Sequence, residues 1–276
     1  MTSHFYIHLP SNSSEAYYPN NTRADYTTRL LNNIELELNY EVALVEIFFS
    51  KTWYNVKGEE GFTISYLPSD LSRHPVVFEV SISEGIYQTV NDLVSELNAK
   101  MTEFANDVDR SQKIAGLDGR VINWPTFRFN EKNNKVEVYI SKGRELTFSD
   151  GLCRILGYRK KFFPIKSRDN SDHSVVESRR TADINDGLET FYIYCDLLEP
   201  VKVGHTEAPL LRIVDAGNEP QGSLVRRHYV SPIYVPVQKK NFDSIEISLR
   251  TDQGKPVPFE RGRVILTLHF RKSEST

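Results

Sequence analysis

Along most of this chain apolar and polar residues alternate one for one. The pattern is clearest at the end. Ile245, Ile247 and Leu249 alternate with Glu246, Ser248 and Arg250. After the breaker cluster Thr251-Asp252-Gln253-Gly254-Lys255-Pro256, the residues Val264, Leu266, Leu268 and Phe270 alternate with Ile265, Thr267, His269 and Arg271. A period of two in β-prone residues, with Gly and Pro between the runs, predicts a terminal hairpin over Phe242 to Arg271. One face of it must be buried, so an apolar partner is required elsewhere in the chain.

Read from the start, Phe5, Ile7 and Leu9 alternate with Tyr6 and His8 and stop at Pro10, which suits an edge strand. The polar, turn-rich residues that follow make 1–25 as a whole an extended N-terminal arm rather than core. Ile34, Leu36 and Leu38 alternate with Glu35, Glu37 and Asn39, and Val42 to Phe49 is a nearly continuous apolar run, as in a strand buried on both faces or central in a sheet. Phe62 to Tyr66 and Val76 to Ile82 read as strands joined through Pro68 to Pro75. Thr89 and Asp92 form a capping-box-like start for a helix of about four turns, with Val90, Leu93, Val94, Leu97, Met101 and Phe104 on one face. Residues 106–123 read as loop. Thr126–Phe129 and Val136–Ile140 predict a hairpin. Ser149 is placed as the cap of a short helix that ends at Gly157. The polar stretch 166–187 predicts a long mobile loop. Strands follow at Thr190–Cys195, Pro209–Val214 and Arg226–Val237, the last broken at Pro232.

About ten strands and two helices make the chain all-β: a single jelly roll, that is, an antiparallel β-sandwich, with inserted helices and extra strands. In a jelly roll the first strands pair with the last. The Ile34 strand is therefore expected beside the Val264 strand in one sheet, and the Val42 strand beside the Ile245 strand in the other. The domain organisation that follows is an arm at 1–25 and one jelly-roll domain at 26–276, carrying an α/β insertion at about 56–188. The competing architecture is an ordinary β-sandwich with a separate α+β insert.

Composition narrows the function. The 276 residues are 39% hydrophobic and 26% charged, and 34 basic against 37 acidic residues give a net charge of −3. That balance argues against bulk nucleic-acid binding and leaves room for a local basic patch; no specific nucleic-acid partner is expected. Arg159-Lys160-Lys161 reads as a solvated corner. Cys153 and Cys195, the two cysteines, sit in apolar settings and are expected as buried free thiols. No basic-then-apolar leader opens the chain and no apolar run is long enough to span a bilayer, so the expected product is made in the cell interior and not secreted. Of the seven histidines (4, 8, 74, 173, 205, 228 and 269) no two have metal-ligand spacing around a carboxylate. His269 is expected at a surface or interface. Asp107 and Asp109 lack the spaced oxygens of a calcium loop, and Gly116-Leu117-Asp118-Gly119 is a turn. There is no nucleophile elbow and no phosphate-binding Gly-rich loop. No catalytic, cofactor-binding or metal residue is predicted, and the chain is not expected to be an enzyme. Trp53, Trp124 and Tyr229 are the aromatics through which an alternative function, a cellular jelly-roll module binding carbohydrate or peptide, would act.

A set of strand-and-turn segments running from end to end carries a resemblance. They are Phe5-Tyr6-Ile7-His8-Leu9-Pro10-Ser11-Asn12-Ser13-Ser14, Tyr18-Pro19-Asn20-Asn21-Thr22, Glu41-Val42-Ala43-Leu44-Val45-Glu46-Ile47 running into Thr52-Trp53-Tyr54-Asn55-Val56, Tyr194-Cys195-Asp196-Leu197, Pro209-Leu210-Leu211-Arg212, Pro256-Val257-Pro258-Phe259-Glu260 and Thr267-Leu268-His269-Phe270-Arg271. Together they resemble the minor capsid, or penton, proteins of Polinton (Maverick) elements and adintoviruses. The resemblance implies a structural protein whose homopentamer forms the vertex capsomer of an icosahedral virion. It also implies a double jelly-roll major capsid protein as neighbour, and a vertex fibre or host receptor as further partners. The sequence has no Arg-Gly-Asp, so integrin binding is not implied.

Overall fold

The structure is a computed structural model that describes residues 4–37, 39–58, 60–66, 75–111, 123–167 and 172–273. It divides into two compact units, Met1–Trp53 with Gly187–Thr276, and Tyr54–Asp186. Strands β1 (His4–Pro10), β2 (Asp25–Glu35) and β3 (Tyr40–Ser50) open the first unit. The second contains β4 (Gly61–Tyr66), β5 (Val76–Ser81), helix α1 (Val90–Ser111), β6 (Thr126–Asn130), β7 (Lys135–Ser141), β8 (Arg144–Phe148), helix α2 (Asp150–Ile155), a 3-10 turn at Lys160–Phe162, β9 (Ile165–Lys166) and β10 (His173–Glu177). The chain then returns to the first unit with β11 (Thr190–Cys195), β12 (Val201–Val203), β13 (Thr206–Ala208), β14 (Leu210–Asp215), β15 (Leu224–His228), β16 (Val235–Pro236), β17 (Asn241–Arg250) and β18 (Ile265–Lys272).

The first unit is a jelly roll. One sheet runs β1-β18-β3-β15, with β16 also on β3; the other runs β2-β17-β11-β14. Without the short strands β12, β13 and β16, eight strands remain. The first pairs with the eighth, the second with the seventh, the third with the sixth and the fourth with the fifth. A long hairpin rolled into two sheets produces this order.

Two sequence expectations are corrected here. The Phe242–Arg271 segment is not a hairpin, because β17 pairs with β2 and β11 while β18 pairs with β1 and β3, in the other sheet. The expected partners are also exchanged: Phe242 faces Ile34 and Ile245 faces Thr28, whereas Leu268 faces Leu44. Both errors have one cause. His4–Pro10, assigned to an arm, is the first strand of the roll, with Phe5 opposite Phe270 and Leu9 opposite Leu266. Counting from β2 instead of β1 shifts every partner by one place.

The two sheets close over a common core. Phe49 of β3 meets Phe191 of β11 edge-on at 5.1 Å, and Phe270 of β18 lies 6.2 Å from Phe242 of β17. The buried Tyr26 hydroxyl donates to the Leu9 carbonyl (3.2 Å), and burial holds that phenol well above its usual pKa. Val42, Ala43, Leu44, Ile47 and Phe49 are fully buried, as the continuous apolar run of β3 requires for an interior strand. Each such large side chain contributes about 1.5–3 kcal/mol of burial.

The second unit has its own core. Helix α1 and the sheets β5-β4-β8-β9 and β10-β7-β6 enclose Ile64, Leu93, Leu97, Val136, Val138, Ile140 and Leu146. The α1 start follows the sequence reading: Asp92 N donates to Thr89 Oγ1 (3.1 Å) and Thr89 N to Asp92 Oδ2 (2.9 Å). The Asn98 amide on α1 bonds both main-chain groups of Phe127 (2.8 and 2.9 Å), tying the helix to strand β6.

Three local expectations change. Helix α1 runs on to Ser111, into the predicted loop, because 106–111 contain no Gly or Pro to stop it. Strand β10 lies inside the predicted loop 166–187, held by pairing with β7. Ser149 does not cap α2 with its side chain. Its hydroxyl donates to the Glu60 carboxylate, and that carboxylate accepts from Leu152 N (3.1 Å), so a distant residue takes the cap role. Gly157 ends the segment at φ +78°, where a side chain would be strained. Leu38, the 68–74 connection with His74, and the Gly116–Gly119 turn lie outside the described residues.

Candidate assembly surface

Chemistry-bearing side chains come together at one place, the outer face of the β1-β18-β3 sheet. The Tyr6 ring stacks on His269 (4.4 Å, 17° between planes) and His4 meets it edge-on at 5.4 Å. Tyr234 Oη is 2.7 Å from His269 Nδ1. The Arg271 guanidinium lies 3.5 Å over Tyr234 and pairs with Glu41 at 2.5 Å. Burial first, then His4 and Arg271, hold the His269 imidazolium below its usual pKa. His269 is thus a half-buried packing residue on the outward side of its strand. His173 bonds Ser141 Oγ (3.0 Å), and His205 and His228 stand exposed and apart. Among the described residues no group of three or more His, Cys, Asp or Glu is placed to hold a metal ion.

The remaining sequence candidates are built into the cores. Cys153 and Cys195 are buried free thiols, and burial pushes Cys195 up to about 12. Trp53 is 1% exposed, so it has no face to offer a sugar. Trp124 packs edge-on against Phe78 and Phe104 in the second unit. The Tyr229 ring is covered by the Arg212 guanidinium at 3.5 Å.

What the jelly roll does present is two lateral edges. The sheets face each other strand for strand. β1 lies with β2 (Tyr26 to Leu9) at one side, and β15 lies with β14 at the other, where Arg227 Nε donates to the Asp215 carbonyl (3.3 Å). On the β1/β2 side Leu31 is 97% exposed, with Tyr17 at 63% and Tyr6 at 54%. On the β14/β15 side Leu224 is 67% exposed and Ile213 is 47%. Just beyond β15, Val230 and Ile233 are also exposed. A single exposed Leu means little, but large apolar groups on both opposite edges of one sandwich suit a head-to-tail contact between copies.

The β14/β15 edge is held by charge. Arg227 pairs with Glu219 (2.8 Å), and the buried Lys51 donates to the Gly217 carbonyl (2.9 Å). The bond from Arg227 holds the Glu219 carboxyl well down, to about 2. A lowered folded pKa stabilises the fold above the unfolded pKa of about 4.3, and the gain is lost as pH falls toward 2. Glu219→Gln is therefore expected to be less stable than the parent in urea at pH 6, and equal to it near pH 2. The pair is partly exposed and screened, so the gap is under about 1 kcal/mol. Equal midpoints at pH 6 would show that the pair contributes nothing.

No family model matches this sequence, and no curated protein matches it. Solved structures do. The mavirus penton protein superposes with a TM-score of 0.51 at 15% identity, over 98% of this chain and 99% of that one. A chain of the Sputnik virophage structure gives 0.48 at 10% identity, over 99% and 98%. The mavirus match takes in both units, insertion included. From first strand to last, this chain has the fold of the mavirus penton protein.

Proposed function

We propose that this chain is a structural capsid protein of the Polinton and adintovirus kind, whose homopentamer forms the vertex capsomer of an icosahedral particle. The observation that carries the reading is the whole-length match to a penton protein, with the insertion placed between the third and fourth strands of the roll. The exposed apolar groups on opposite edges support it, since a cyclic ring needs two different, mutually complementary patches on each copy. No catalytic residue is assigned, and none is required for this role. A double jelly-roll major capsid protein would surround the capsomer, with a fibre or receptor at the vertex; the site of action is the virion, after synthesis inside the host cell. Light scattering on the purified chain tests this. The expected mass is five times that of the protomer, and a monomer at the highest soluble concentration would remove the ring from the proposal.

A further inference from the structure

The second unit carries a cleft of about 740 Å³ lined by residues of β9, β10 and the segment before β9, among them Phe162, Pro164, Ile165 and Val176. A second hollow of about 460 Å³ shares Tyr158 and Arg159 with it. The lining is mixed, with Tyr158, Phe162, Phe163, Pro164, Ile165 and Val176 as its apolar part. The buried Tyr158 turns its hydroxyl onto the carbonyls of Val136 and Val176 (2.8 and 2.9 Å), leaving its ring as lining. Phe162 and Val175 stand 42% and 47% exposed at the rim.

The rim is positive and only partly compensated. Lys135, Lys160 and Lys166 are each paired with a carboxylate, of Glu177, Asp150 and Glu145. Arg159, Lys161, Arg179 and Arg180, which also line these two hollows or flank them, have no carboxylate partner among the described residues. Arg179 lies 3.7 Å over the Phe162 ring and Lys161 5.1 Å from its centroid. A stacked guanidinium keeps its N–H edge free for a carboxylate. In a chain of net charge −3, four such cations around a partly apolar cleft favour an anionic partner with an apolar side chain. The backbone narrows the class further. Among the described residues β9 and β10 are each the end strand of their sheet, so each leaves one row of main-chain groups without a strand partner there. An extended peptide can use such a row; a nucleic acid cannot.

We propose that this cleft binds an acidic peptide segment of a partner protein, in extended form, with an apolar side chain seated against Phe162 and Val175 and its carboxylates on Arg159 and Arg179. The inference goes beyond capsomer formation and does not depend on it.

The test uses the full chain and fluorescence anisotropy of a labelled octapeptide that alternates Glu with Val around a central Phe. Binding is expected in the micromolar range and is expected to weaken as salt rises. Arg159→Ala with Arg179→Ala is expected to weaken it at least about tenfold, and Phe162→Ala about fivefold. Removing two cations elsewhere, with Lys240→Ala and Lys255→Ala, leaves it unchanged. The rim side chains are exposed, so the variants keep the parent circular dichroism spectrum. Three results would overturn the proposal: no binding of the octapeptide; octaglutamate or a single-stranded oligonucleotide binding as tightly, with Phe162→Ala silent; or equal loss in the Lys240/Lys255 variant. The second of these marks a non-specific polyanion patch.

Discussion

Leu31→Glu is expected to remain folded and to lose self-association completely, and Leu224→Glu is expected to do the same. Leu31 is 97% exposed and Leu224 67%, so neither contributes much to the protomer core. In a head-to-tail ring each becomes buried against the next copy. A carboxylate there must be desolvated without a partner, at a cost of several kcal/mol per contact. A ring repeats that cost at every contact, so the proposed pentamer is expected to give way to monomer. The two variants together make a sharper measurement. Leu31→Glu keeps an intact β14/β15 edge and Leu224→Glu an intact β1/β2 edge. Mixed, they are expected to form one-to-one dimers and nothing larger, because each copy has only one working edge. A contact built from like edges would give no such complementation. If Leu31→Glu runs at the parent's size, the β1/β2 edge is not the contact.

Phe270→Ala is expected to destabilise the first unit by about 3–5 kcal/mol, the range for removing a fully buried aromatic ring. The ring stacks on Phe5 of β1 (4.9 Å, 2° between planes) and on Phe242 of β17 (6.2 Å). It therefore joins the first strand of the roll, the last strand and the facing sheet. Its loss leaves a cavity where three strands meet, and close-packed neighbours refill such a space only in part. His269→Ala, one residue away on the outward side, forfeits the Tyr6 stack and the Tyr234 bond, and is expected to cost about 1 kcal/mol. Urea unfolding read by tryptophan emission separates them. With Trp124→Phe as background the signal comes from Trp53, which is buried in the first unit. Equal midpoints for the two variants would show that the β1–β18–β17 junction does not hold the roll together.

The assembly surface was less legible than the fold. Leu30 and Leu31 are adjacent and chemically identical in the sequence, yet Leu30 packs against the core and Leu31 points to solvent. Both fall where the β2–β17 ladder shifts register, between Arg29 and Ile34, so a local irregularity of the ladder decides which of them faces inward. The cations at 159, 161, 179 and 180, which have no carboxylate partner among the described residues, posed the same difficulty. Arg159-Lys160-Lys161 was visible as a charged corner, but Arg179 and Arg180 come alongside it through the pairing of β10 with β7, within a stretch that read as loop. The capping of α2 by Glu60 had no local signal, since the two are about ninety residues apart.

The sequence by itself determined the elements and their faces. Alternation gave β17 and β18 their buried sides, the unbroken apolar run placed β3 in the interior, and Thr89 with Asp92 marked the start of α1. These are properties of residues within a turn or two of one another. The tertiary structure alone decided which strands are partners. A period of two says that a face is covered but not by what, because one alternating strand looks like another. The choice was made by side chains hundreds of residues apart, as where Phe5 meets Phe270. That contact turned the seven residues His4–Pro10 from an arm into the strand from which the whole roll is counted.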